Sequence, residues 1–159
     1  MASVVYLGLG TNLGNKENNI RQAIQKIKER MGEVIASSVL HEYVPWGFKS
    51  INNFINAVVA VETDKTPLEV LSLTQEIERE LGRTKKSVNN DYKDRIIDID
   101  ILLFGDMRIN TKELTVPHPL MTERIFVMEP LCEIAPDYVH PVRHKTIKEL
   151  LISIQHRVS

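Results

Sequence analysis

Two carboxylates two residues apart, Asp98 and Asp100, sit inside the apolar run Ile96-Ile97-Asp98-Ile99-Asp100-Ile101-Leu102-Leu103-Phe104. Rich in Ile, Leu and Phe, the run reads as a strand. Its period of two sends Ile97, Ile99, Ile101 and Leu103 to one face and Ile96, Asp98, Asp100, Leu102 and Phe104 to the other. Residues two apart on one strand face start ~6.5–7 Å apart, close enough for both carboxylates to converge on one metal ion or a pair. Left alone in apolar company they would repel, lose hydration and drive one toward protonation. A hard divalent cation resolves that conflict, and all-oxygen ligands suit magnesium better than zinc. An Asp-x-Asp pair can equally face solvent at a sheet edge, so the pair by itself leaves both readings open.

The stretch that leads into it adds weight to the metal reading. Residues 82–95 run Gly82-Arg83-Thr84-Lys85-Lys86-Ser87-Val88-Asn89-Asn90-Asp91-Tyr92-Lys93-Asp94-Arg95, five cations against two acids and almost no apolar anchor. Connections of this length in compact domains are binding lids or disorder more often than plain linkers. A basic lid over a carboxylate pair is what phosphoryl transfer uses: magnesium bridges phosphate oxygens while Arg and Lys neutralise the charge that moves. A solvated surface loop is the competing reading for any single charge run.

The elements that must position these residues follow from periodicity. Val4 to Gly10 reads as a buried first strand, and Ile20, Ala23, Ile24, Ile27 and Met31 form a helical stripe ending at Gly32. Val34 to Val39 and Phe54 to Val61 are the next strands. Thr66, Pro67, Glu69 and Gly82 mark a helix by N-cap, first-turn proline, capping box and C-terminal glycine. Its core stripe is Val70, Leu73, Ile77 and Leu81, with Leu71, Gln75 and Glu78 along a neighbouring edge. After the acidic strand come Pro117, Pro119, Pro130, Pro136 and Pro141, then a last helix opened by Thr146 with Glu149. Helices crossing between strands, without a long series of parallel-sheet units, predict an α+β sandwich of the ferredoxin-like kind, its sheet mostly antiparallel.

Global numbers exclude other classes. With 159 residues, 43% of them hydrophobic, the expectation is one soluble domain over 1–159 with a real core. A net charge of -1 gives no pull toward nucleic acid or an anionic membrane. Cys132 is the only cysteine, so no internal disulfide forms and a reducing cytoplasm is the expected location. Neither a membrane span nor a secretion signal is expected. Gly8-Leu9-Gly10-Thr11-Asn12-Leu13-Gly14 has its third glycine one place too late for a dinucleotide fingerprint and lacks the Lys of a P-loop, so its glycines are read as serving a tight turn. An RNA-recognition module is disfavoured by the charge and the missing aromatic pattern. A non-catalytic small-ligand domain of the same fold remains the alternative, although it would not need aspartates under an arginine lid.

Over essentially its whole length the chain resembles the 6-hydroxymethyl-7,8-dihydropterin pyrophosphokinase family. The matching pieces are Leu9 to Gly14, Pro45-Trp46-Gly47, Phe54-Ile55-Asn56-Ala57, Glu78 with Gly82-Arg83, Arg95 with Asp98 to Leu102, and Thr115-Val116-Pro117-His118-Pro119. The resemblance implies a transfer of pyrophosphate from ATP to a pterin alcohol in folate biosynthesis, by a cytoplasmic monomer that uses two magnesium ions. On it, Asp98 and Asp100 would ligate the metal ions, and Arg83 and Arg95 would be catalytic. Leu71, Gln75, Glu78, Lys85, Tyr92, Ile101, Thr115, His118 and Arg124 would line the ATP site. Phe54 and Phe126 would sandwich the pterin, with Trp46, Gly47 and Asn56 at its hydrogen-bonding edge. Without the resemblance Phe54 and Phe126 read as core residues and His118 as a rigid surface histidine. Departures from the family pattern include Lys93-Asp94 in place of Gly-Pro and Tyr43 where threonine is frequent.

Overall fold

The computed structural model describes residues 2–43, 53–82 and 96–158. Five strands make one antiparallel sheet: β1 (Ser3–Thr11), β2 (Glu33–Ser37), β3 (His41–Tyr43), β4 (Phe54–Thr63) and β5 (Asp98–Phe104), in the order β2-β4-β1-β5 with β3 also on β4. The two-residue strands β6 (Ile109–Asn110) and β7 (Thr115–Val116) pair separately. Helices α1 (Lys16–Arg30) and α2 (Pro67–Gly82) cover one face of the sheet, and α3 (Ile125–Ile134) and α4 (Ile147–Val158) cover the other. This is the α+β sandwich expected from the sequence.

Alternation builds both cores. Val5, Leu7 and Leu9 of β1 and Ala57, Val59 and Val61 of β4 meet Ile20, Ile27, Val70 and Ile77 of α1 and α2. On the opposite face Val58, Leu102 and Leu103 meet Met128, Leu131 and Ile147. Asn15 caps α1, accepting the Asn18 amide at 3.2 Å. The capping box of α2 is reciprocal: Thr66 N donates to Glu69 at 2.8 Å and Glu69 N to Thr66 Oγ1 at 3.2 Å. Thr146 and Glu149 repeat the device before α4.

Three sequence expectations are corrected here. The run before α4 hides a helix, α3, in which Pro130 removes one backbone bond without ending it. The alternation of β5 breaks, because its register against β1 steps from Leu7↔Ile101 to Tyr6↔Leu103 across a bulge at Leu102. Phe104 therefore joins Ile97, Ile99 and Ile101 in the core under α1 and α2, while Leu103 turns to the α3 and α4 side, the reverse of the strict period. Gly8 and Gly10 lie within β1, paired on both sides, and serve no turn.

Candidate active site

β5 is an edge strand, and its acidic end pairs with the glycines of β1. Asp98 is opposite Gly10 and Asp100 opposite Gly8. On the other side of β1, Gly10 is opposite Asn56 and Gly8 opposite Val58. Asn56, Gly10 and Asp98 thus form one row across three strands, on the face that carries Val58 and Leu102. Both aspartates are half-buried.

Helix α2 brings a third carboxylate to this edge. Glu78 Oε2 accepts the outward amide of Ile99 at 2.7 Å. Burial pushes the Glu78 carboxyl up to about 7; the Ile99 amide opposes that shift, and the negative charges of Asp98 and Asp100 add to it. A carboxyl pushed up by burial, with two further carboxylates beside it, marks a place suited to a cation. Among the described residues no three His, Cys, Asp or Glu side chains close into a ready metal cage. An all-oxygen edge of this kind fits a hard divalent ion that takes its remaining ligands from solvent or phosphate. Ile101 lies in the core, 4% exposed, so it can offer a ligand only its main chain at the edge. Leu71 is half-buried and Gln75 exposed on the same helix as Glu78.

After β7, the chain returns to β5 and supplies the cationic side. His118 N donates to the Leu102 carbonyl at 2.9 Å, which fixes the histidine beside the bulge. Its Nδ1 accepts the Leu120 amide at 3.2 Å, leaving Nε2 to carry the ring proton. Burial and then the Arg124 guanidinium lower the pKa of His118, against a smaller upward pull from Asp98. Arg124 directly precedes α3, with its guanidinium 5.6 Å from the centre of the Phe126 ring. Thr115 is half-buried on β7.

Phe126 continues the site toward β3 and β4. Its ring meets Tyr43 edge-on at 6.3 Å, and Tyr43 is opposite Phe54 in the β3–β4 register. Tyr43 Oη donates to Glu129 at 2.7 Å, and both burial and that hydrogen bond raise the tyrosine pKa. Phe126 remains 36% exposed. Asn56 Oδ1 is the one buried side-chain polar atom without a hydrogen-bond partner among the described residues. An orphaned buried acceptor costs free energy until a donor reaches it.

The row and its neighbours thus join Glu78, Asp98, Asp100, His118, Arg124, Phe126, Phe54 and Asn56 into one continuous region. Trp46, Gly47, Arg83, Lys85, Tyr92 and Arg95 lie outside the described residues. Tyr43, Glu129 and Gly10 also border this region, and none of them is among the candidates named from the sequence. The Tyr43 to Glu129 contact joins positions 86 apart, beyond any local pattern.

Fold and site together define a class: an α+β sandwich that gathers carboxylates at a sheet edge, with an arginine and aromatic rings nearby, suits metal-assisted phosphoryl transfer. A model of 7,8-dihydro-6-hydroxymethylpterin-pyrophosphokinase (HPPK) matches residues 6–136, and the chain belongs to this family. It is 45% identical over 140 residues to the 2-amino-4-hydroxy-6-hydroxymethyldihydropteridine pyrophosphokinase of Porphyromonas gingivalis, covering 87% of this chain and 95% of that one. To the enzyme of the same name from Aquifex aeolicus it is 41% identical, over 92% of this chain and 89% of the other. Among solved structures, wild-type Plasmodium falciparum HPPK-DHPS with pteroate shares the fold, with a TM-score of 0.80 at 20% identity. That match covers 99% of this chain and 43% of the Plasmodium chain, so this chain spans less than half of that protein.

Proposed function

We propose that this chain transfers the pyrophosphoryl group of ATP to the hydroxymethyl group of 6-hydroxymethyl-7,8-dihydropterin, in folate biosynthesis, and that it does so along the row from Asn56 to Asp98. The chain is an ATP-dependent diphosphotransferase. One observation carries the placement of the site: an orphaned amide acceptor and a metal-type carboxylate share a single register row.

Two strand spacings, roughly 10 Å, separate the ends of that row. A pterin ring held at Asn56 would reach toward the aspartates with its hydroxymethyl arm. Asn56 Oδ1 would accept from the ring's amino or amide edge, and Phe126 with Phe54 would stack on its faces. Arg124 and the Nε2 proton of His118 would hold phosphate oxygens. Arg83, Lys85, Tyr92 and Arg95 would close over the nucleotide, Leu71, Gln75 and Ile101 would border adenine, and Thr115 would contact the ATP. Two magnesium ions on Asp98 and Asp100 would supply charge to the bridging phosphates, a role for which this all-oxygen edge is suited. The acceptor oxygen would bond to the β-phosphorus as the bond from that phosphorus to the oxygen bridging it to the α-phosphorus breaks; AMP would leave carrying that oxygen, and the hydroxyl proton would pass to solvent. The protein contributes positioning and charge, with little covalent chemistry. A cytoplasmic monomer completes this reading, Cys132 as sole cysteine being its support for a reducing location.

The test is to incubate the protein with ATP, magnesium and the dihydropterin alcohol and to separate nucleotides and pterins by chromatography. AMP equal to pterin diphosphate is the expected result. ADP in its place would mean transfer from the γ position and overturn the assignment.

A further inference from the structure

We propose that Gly10 is a positioning residue for acceptor recognition: the absence of a side chain there lets the Asn56 amide lie across β1 and face the ligand. The proposal rests on the function just argued and names what sets the geometry of its acceptor end.

Gly10 has no conformational reason to be glycine. The glycines with positive φ among the described residues are Gly14 and Gly105, and Gly10 is an ordinary strand residue paired with Asn56 on one side and Asp98 on the other. In such a position glycine weakens a strand, so its presence has a spatial cause. A Cβ built on Gly10 would stand 2.9 Å from Asn56 Nδ2, closer than real Cβ atoms come to a neighbouring atom. Gly8, one step along the same face, differs: there the nearest atom is the end of the Leu102 side chain at 3.4 Å. Of these two strand glycines, it is Gly10 whose added methyl meets a polar group.

The Asn56 amide nitrogen crowds the position a β-carbon would take, and its Oδ1 is buried without a partner. Pairing with β1 on one side and β3 on the other, where His41 lies opposite Asn56, holds the Asn56 backbone in place, so the amide yields by turning about its own side-chain bonds. A methyl on Gly10 would therefore rotate or lift the amide and misdirect Oδ1. Asp98 belongs to the adjacent strand and is not among the atoms within 4 Å of that methyl, so the metal end of the row is spared.

Gly10→Ala tests this directly. The expected result is a KM for the dihydropterin alcohol raised about tenfold, the loss of one well-aimed hydrogen bond, with kcat and the Kd of a non-hydrolysable ATP analogue held within about twofold. An unchanged acceptor KM, or an equal loss of ATP affinity, overturns the proposal. In a double-mutant cycle, Gly10→Ala added to Asn56→Ala should leave KM where Asn56→Ala alone puts it, and additive losses overturn the proposal. If Gly10→Ala folds poorly, Asn56→Ala must restore its Tm, since the methyl then meets no amide; failure to restore it also overturns the proposal. Absence of any pterin diphosphate from the unmodified protein would refute the function instead, and the Tm comparison would still report on the Gly10 contact.

Discussion

At the scale of single residues, burial pushes the pKa of Glu78 up and that of His118 down, and leaves Asn56 Oδ1 without a donor. Asp98 and Asp100 stand out in the sequence because a carboxylate inside an apolar strand run is costly wherever it is buried, and the structure puts both half-buried on the edge strand β5. Asp98→Ala or Asp100→Ala should abolish product formation while leaving the far-UV circular dichroism and Tm close to the parent values. Near-normal turnover in either would remove the metal assignment. Glu78 gives a pH prediction. Its carboxyl is raised to about 7 in the folded chain, so between its ordinary carboxylate range and pH 7 the folded state binds more protons than the unfolded one. Stability of the metal-free protein therefore falls as pH rises through that window. Glu78→Gln, which keeps an acceptor for the Ile99 amide, should raise the Tm at pH 8 and have little effect at pH 4, as measured by thermal melts in chelator. Gly10 and Tyr43 were not legible in the same way. A glycine in a strand and a glycine in a turn look alike in sequence, and the tyrosine acts through Phe126 and Glu129, far away in the chain.

At the scale of elements, capping chemistry was the most legible signal because it is local. Both Thr-Glu boxes form as the sequence implies. Thr66→Ala should cost about 1 kcal/mol by denaturant titration. The helix pair α1 and α2 is tied by Glu80, which accepts from Arg30 at 2.6 and 2.7 Å and from Lys26 at 3.0 Å. Those hydrogen bonds hold the Glu80 carboxyl down to about 2. Because the folded pKa is lowered, the contribution is present above the ordinary carboxylate pKa and is lost as pH falls toward 2. Glu80→Gln should flatten the decline of Tm over that acid window. What the strand pattern could not give was the bulge at Leu102, since a period of two is read only as long as the partner strand keeps step. Helix α3 escaped for a related reason: an interior proline speaks against a helix locally, and packing of Val127, Met128 and Leu131 on the sheet outweighs it.

At the scale of the molecule, one sheet serves two cores, so neither face can be lost without exposing the other. Ile27→Ala on α1 and Met128→Ala on α3 should each cost about 2–5 kcal/mol, values typical of cavity-forming substitutions. Both should shift the same single transition, whether it is followed by far-UV or near-UV circular dichroism. Separate transitions would show that the faces melt independently.

The placement of the acidic strand at the rim of the sheet has one more consequence. A bare strand edge offers a row of amides and carbonyls to any passing extended chain, and is a seed for self-association. Here the Ile99 amide is taken by a carboxylate from α2, the Leu102 bulge twists the strand out of step, and two aspartates flank the exposed part. The features suited to hold a cation and phosphates thus also act as gatekeepers against sticky, amyloid-type stacking, and removing them would be expected to affect solubility as well as turnover.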